Sequence, residues 1–275
     1  RCADRFRTMD ATTLRDLPRP GPLGIALGVV RVLGVFALLL LSTVVLLAVA
    51  LVPVRIGGLR LGVYIAVGAA RALLWTTGTR LDVDGAEALR AHRGFVFFNH
   101  LAFLDPVALM AVRPVRFLAT RGVRRIPLVG IIAQAVGTLF VDRGQDASRE
   151  QARHEMRAAI AQSPLPVALA PEGGIGPGPG VMPLRHGAFE VAADADADIL
   201  LVALGFDPPG YAVWEDETLV GPLWRWCART TPFTITLRAL SPALETRPGG
   251  VPADPARLAL EATERLDAAL GATAA

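Results

Sequence analysis

The chain has 275 residues, 52% of them hydrophobic, a formal charge of +3 and a mean hydropathy of +0.44. Two cysteines, Cys2 and Cys227, form no CxxC, which excludes a disulfide scaffold and fits a reducing compartment. The four histidines have no zinc-ligand spacing, and His154-Glu155 lacks the second histidine of HExxH, so neither a metal nor a bound cofactor is expected.

The basic excess is mild and carried entirely by arginine, a side chain suited to forked hydrogen bonds with phosphate or anionic headgroups; no nucleic-acid partner is expected. Residues 1–22 are polar and Pro-containing and read as a flexible lead. The uncharged run 32–52 would span ~30 Å as a helix, the thickness of a hydrocarbon core. A second apolar stretch, 61–75, is short for a span and reads as an interfacial or returning helix. Arginines flank both ends of the first run (Arg15, Arg19 and Arg31 before, Arg55 and Arg60 after), so charge does not set its orientation. We expect residues 23–78 to form a membrane-associated two-helix segment. One full span would put the rest of the chain opposite the N-terminus; a two-helix hairpin, the favoured arrangement because the second helix offers a return path, keeps both on the cytoplasmic side of the inner membrane.

From residue 79 onward short apolar runs alternate with helical segments. Strands are predicted at 95–99, 116–119, 138–141, 167–170, 199–204 and 234–240, and helices at 106–112, 127–136, 147–162, 187–195 and 255–270. This alternation predicts an α/β domain over 79–275, with a mixed, largely parallel sheet flanked by helices. Ligands of such sheets collect at strand carboxyl ends. His100, Asp142-Arg143 and Pro171-Glu172 all fall on that one predicted rim.

His100 and Asp105 sit in "FFNHLAFLDP", an otherwise apolar stretch. On one helix, five residues rotate the chain by ~500°, which would leave the two side chains about 140° apart. A strand end at His100, a turn, and a helix opening at Asp105-Pro106 would bring carboxylate to imidazole; Asp105 is expected as the N-cap. The dyad would act as a general base on a hydroxyl. A capping aspartate beside an ordinary core histidine fits the same spacing. No GxSxG elbow supplies a serine nucleophile, which favours direct transfer from a thioester.

"NHLAFLDP" resembles the NHxxxxDP motif of the glycerolipid acyltransferases, the family of 1-acylglycerol-3-phosphate acyltransferase. "RFLATRGVRRIPLVGIIAQAVGTLFVDRG" resembles that family's second block, "APEGG" its third, and "MPLRHGAFEVA" and "ILLVALGF" the stretches that follow. The likeness covers roughly residues 80–210. It implies an O-acyltransferase moving a fatty acyl group from acyl carrier protein or coenzyme A to a lysophospholipid hydroxyl, foremost 1-acyl-sn-glycerol-3-phosphate. It implies His100 as base and Asp105 as its orienting carboxylate. Arg143 would bind acceptor phosphate, and Asn99, Glu172, Gly173 and Arg185 would complete the substrate site. The third block departs from the usual FPEGTRS: Gly174 and Ile175 stand where threonine and arginine are expected. Arg185, or Arg121, Arg124 and Arg125, would then supply the missing cation, or the acceptor is another lysolipid, such as lyso-ornithine lipid. A catalytically inactive lipid-binding protein is the reading from a different class. The "GPGPG" that follows reads as a rim loop, since its prolines remove backbone donors and a P-loop lysine is lacking.

Overall fold

A computed structural model describes residues 17, 19–52, 54–142, 144–176, 180–211 and 218–274. Most of the lead, with Cys2 and Arg15, lies outside them, as do Arg143 and 177–179 of the rim loop.

The first helix, α1 (Pro22–Ala50), begins ten residues ahead of the uncharged run and is ~43 Å long. The tiny hairpin β1 (Arg55–Ile56) and β2 (Leu59–Arg60) turns the chain into α2 (Leu61–Thr76). The helices are antiparallel: Gly62 faces Leu46, and Gly34 faces Thr76. Then come β3 (Thr79–Asp84), α3 (Ala86–Ala91), β4 (Phe95–Phe98), α4 (Asp105–Val112) and β5 (Arg116–Thr120). The order continues with α5 (Val129–Ala135), β6 (Leu139–Val141), α6 (Asp146–Gln162), β7 (Val167–Leu169), α7 (His186–Asp194) and β8 (Ile199–Asp207). It closes with α8 (Val220–Ala228), β9 (Phe233–Leu244) and α9 (Pro255–Ala274).

Apart from the β1–β2 hairpin, the described strands form one sheet in the order β3-β9-β8-β4-β7-β5-β6, parallel at every pairing except β8–β9. The expected mixed, largely parallel α/β fold is therefore the observed one. Every strand and helix expected from residue 79 onward is present, with ends shifted by a few residues; β1, β2, β3, α3 and α8 were not expected. The central strand β4 is buried on both faces. Its twofold period sends Phe95 and Phe97 into the core under α6, α7 and α9, and Val96 and Phe98 into the core shared with α2 and α4.

Packing crosses residue 78. Ala66, Val67, Ala70, Leu73 and Leu74 of α2 lie in the same core as Ala108 and Leu109 of α4, and Arg71 donates to the Ala111 carbonyl at 2.7 Å. Val35 of α1 joins that core. The start of α1 is fastened to α8: a Cβ on Gly28 would come within 2.9 Å of the Trp224 ring, so only glycine permits the approach. One turn on, Arg31 donates to the carbonyls of Cys227 and Arg229 at 2.9 and 2.7 Å, satisfying groups that the end of α8 leaves free. The other face of α1 is an unbroken apolar surface, with Leu33, Phe36, Leu41 and Val44 each more than half exposed.

Candidate active site

Five strands, β8, β4, β7, β5 and β6, point their carboxyl ends to one edge. His100 lies on that edge, two residues beyond β4. Leu101–Leu104 turn the chain, and α4 starts at Asp105.

The turn closes the gap between the two residues. His100 Nδ1 is 2.6 Å from Asp105 Oδ2, and the same oxygen accepts the N–H groups of Leu101 at 2.8 Å and Ala102 at 2.9 Å. Asp105 was expected as the helix N-cap. It is instead the first helical residue, and its carboxylate reaches back to the turn rather than forward to the helix N–H groups. The reason is geometric: as the first helical residue, with its Oδ2 turned back to the N–H groups of Leu101 and Ala102 and to the imidazole, Asp105 is not at the cap position, which Leu104 takes. An oxygen that accepts two N–H groups takes a third donor, so Nδ1 carries the proton and Nε2 is left as the basic nitrogen. Asp105 is fully buried, while the His100 side chain is 23% exposed.

Asn99 was expected to meet substrate. Its side chain is fully buried, donates to the Leu204 carbonyl at 2.9 Å and accepts the Leu204 N–H at 2.7 Å. The β4–β8 ladder ends at Phe98↔Val202, and this carboxamide extends it in place of a peptide group. Asn99 thus anchors the histidine turn to β8 and presents nothing to the rim.

Glu172, three residues past β7, is only 6% exposed, and its Oε1 accepts the His100 N–H at 3.4 Å. Burial pushes its carboxyl up to about 7, against the stabilising His100 N–H and the charge of the His100 ring. Gly173 has φ +78, and a Cβ there would lie 2.2 Å from Arg185 Nε. A side chain at 173 would therefore be strained and would also unseat Arg185. Arg185 is exposed at the start of α7. Among the described residues its side chain makes one hydrogen bond, Nε to the Glu172 carbonyl at 3.4 Å. Arg121, Arg124 and Arg125 are exposed beyond the carboxyl end of β5. The sequence thus brings His100, Asp105, Glu172, Gly173 and Arg185 together. The contact of Glu172 with the His100 N–H was not foreseen, because nothing local marks it.

The acyltransferase family model matches residues 80–206. Residues 80–206 are an acyltransferase-family domain. Relatives include the 1-acyl-sn-glycerol-3-phosphate acyltransferase of Neisseria meningitidis, 32% identical over 160 residues that cover 56% of this chain and 62% of that one. The protein of that name from Neisseria gonorrhoeae is 32% identical over 46% of this chain and 51% of its own, and the human beta form is 27% identical over 48% and 49%. The matched stretch thus spans only half to three-fifths of these relatives. The crystal structure of the 1-acyl-sn-glycerophosphate acyltransferase of Thermotoga maritima superimposes with a TM-score of 0.67, covering 90% of this chain and 97% of that one at 15% identity. At that identity it speaks for the fold. The acyltransferase domain carries His100, Asp105, Glu172 and Arg185 inside its matched limits.

Proposed function

We propose that this chain is a membrane-associated O-acyltransferase that esterifies the free hydroxyl of a lysophospholipid, foremost 1-acyl-sn-glycerol-3-phosphate, giving phosphatidic acid. The observation that carries the reading is the buried Asp105 carboxylate on His100 Nδ1 at the carboxyl edge of the sheet. Nε2 takes the proton of the acceptor hydroxyl as its oxygen attacks the carbonyl carbon of an acyl thioester. The C–S bond then breaks, and the imidazolium returns its proton to the leaving thiolate. Asp105 stabilises the imidazolium formed in between. The thioester is carried by acyl carrier protein or coenzyme A, and no bound cofactor enters the reaction.

Arg185 is assigned to the acceptor's anionic headgroup. It stands beside the Glu172 turn, and among the described residues neither terminal nitrogen has a partner, which leaves both for a forked contact; Arg143, outside the described residues, is assigned the same ligand. The apolar face of α1 is assigned to the inner membrane. The C-terminal half of α2 is bound to α4, so the helix pair lies against the domain and enters one leaflet as a hairpin, with the domain facing the cytoplasm.

The test is purified protein in lipid vesicles, offered a labelled acyl thioester and a panel of lysolipids. Acyl transfer lost in His100→Ala supports the reading; transfer unchanged in that variant refutes the mechanism. Gly174 and Ile175, in place of a threonine and an arginine, make the panel necessary. A preference for an acceptor without phosphate, such as lyso-ornithine lipid, would reassign the headgroup and leave the chemistry.

A further inference from the structure

The two backbone polar groups of His100 are both held by one segment. Its N–H meets Oε1 of Glu172 at 3.4 Å, and its carbonyl accepts the Gly176 N–H at 2.7 Å. The segment leaves β7, runs through Glu172 and Gly176, and continues into the rim loop. Gly176 lies against the same carboxylate: a Cβ there would be 3.3 Å from Glu172 Oε2 and 3.6 Å from the His100 carbonyl. His100 has left the sheet by this point, so its peptide groups need these partners in place of a ladder. Asp105 fixes the ring and Asn99 fixes the preceding residue to β8, while Glu172–Gly176 fixes the peptide between them.

We propose that Glu172 is a positioning residue for His100 rather than a contact for the acceptor, and that it forms with Gly176 a clamp on the histidine's backbone. This deepens the acyltransferase reading and rests on it for its kinetics only. Two observations favour the histidine over a ligand. Glu172 is only 6% exposed, and its carboxylate accepts the His100 N–H. The ionisable neighbours of the carboxylate are His100, which favours its charge, and Asp105 and Asp267 of α9, which oppose it. Arg185 meets the Glu172 backbone through the carbonyl. A charged Glu172 therefore also favours the imidazolium that forms when Nε2 takes a proton.

The experiment separates position from binding. Glu172→Ala removes the acceptor of the His100 N–H, Glu172→Gln keeps an oxygen there, and Gly176→Ala presses on the clamp from its far side. We expect kcat to fall by roughly 10–100-fold in Glu172→Ala and less in Glu172→Gln, with the KM for lysophosphatidic acid unchanged in both. Gly176→Ala should lower kcat in the same way. A raised KM with unchanged kcat overturns the proposal. The second readout needs no turnover: the Nδ1–H proton of His100 in ¹⁵N-histidine-labelled protein. It should shift or broaden in Glu172→Ala and persist in Glu172→Gln, and an unaltered signal in Glu172→Ala overturns the proposal whatever the kinetics show. Because this signal is read without substrate, a protein that transfers no acyl group would refute the proposed function and leave the clamp to be judged on its own.

Discussion

His100 Nδ1 and Asp105 Oδ2 stand 2.6 Å apart, and the aspartate that makes the contact is fully buried while the histidine reaches the surface. The same oxygen holds two turn N–H groups, so one carboxylate both shapes the turn and orients the imidazole. Its other oxygen, Oδ1, is buried with no hydrogen-bond partner among the described residues. Asp105→Asn keeps one acceptor oxygen for the turn and removes the charge opposite the imidazolium. We expect kcat to fall by about 10²–10⁴-fold with acceptor KM little changed, measured as initial rates on vesicles.

Asn99 predicts a stability effect. Asn99→Leu leaves the N–H and carbonyl of Leu204 buried and unpaired, which costs ~2–4 kcal/mol for the two groups. Urea unfolding should report that loss, with activity falling alongside because the histidine turn loses its tie to β8.

Glu172 gives a pH dependence whose sign is fixed. Its carboxyl lies at about 7 in the folded chain against 4.5 ordinarily, so between these values the native state keeps a proton the unfolded chain has released. Stability from this group is therefore full below 4.5 and is lost as the pH rises through 7. Glu172→Gln has no proton to lose. It should gain on the parent protein as the pH rises through that window, by roughly 3 kcal/mol at alkaline pH. Melting temperatures at pH 5 and pH 8 test this, and equal differences at both would contradict it.

Arg185 predicts a binding effect. Arg185→Ala should raise the KM for lysophosphatidic acid by about 10–100-fold, the value of a charge-assisted contact, with kcat nearly unchanged. Gly173→Ala should share that phenotype, because its side chain would occupy the Arg185 seat.

The exposed face of α1 predicts vesicle binding. Replacing Leu40 and Leu41 together by arginine removes two exposed apolar side chains and should weaken co-flotation with liposomes at least about tenfold. The packing side should be untouched, so folding by circular dichroism should stay as it was.

The buried strands were legible because β4, β7 and β8 are continuous apolar runs that occur only with both faces covered. β3 escaped because TRLDVD alternates, being an edge strand paired to β9 alone. α8 escaped because Gly221 and Pro222 interrupt its first turn, and its burial depends on α1 from the far end of the chain. The contact of His100 with Asp105 was legible because their spacing, the proline and the strand end all lie within ten residues. Asn99 was misplaced for the opposite reason: its partner, Leu204, is 105 residues away, and a carboxamide beside a histidine looks the same whether it faces a ligand or a neighbouring strand. Glu172 was legible as a residue of the rim beyond β7, but its contact with the His100 N–H appears only once β4 and β7 lie side by side.

The fastening of α1 bears on how the protein can be produced. Trimming the hydrophobic N-terminus to obtain a soluble catalytic fragment would strip Val35 and Leu46 from their contacts and leave the last carbonyls of α8 without the Arg31 guanidinium. The fragment would display the α2 and α8 surfaces that the helix now covers, and would aggregate through them. Detergent or nanodisc preparation of the intact chain is the route that keeps the His100 edge assembled.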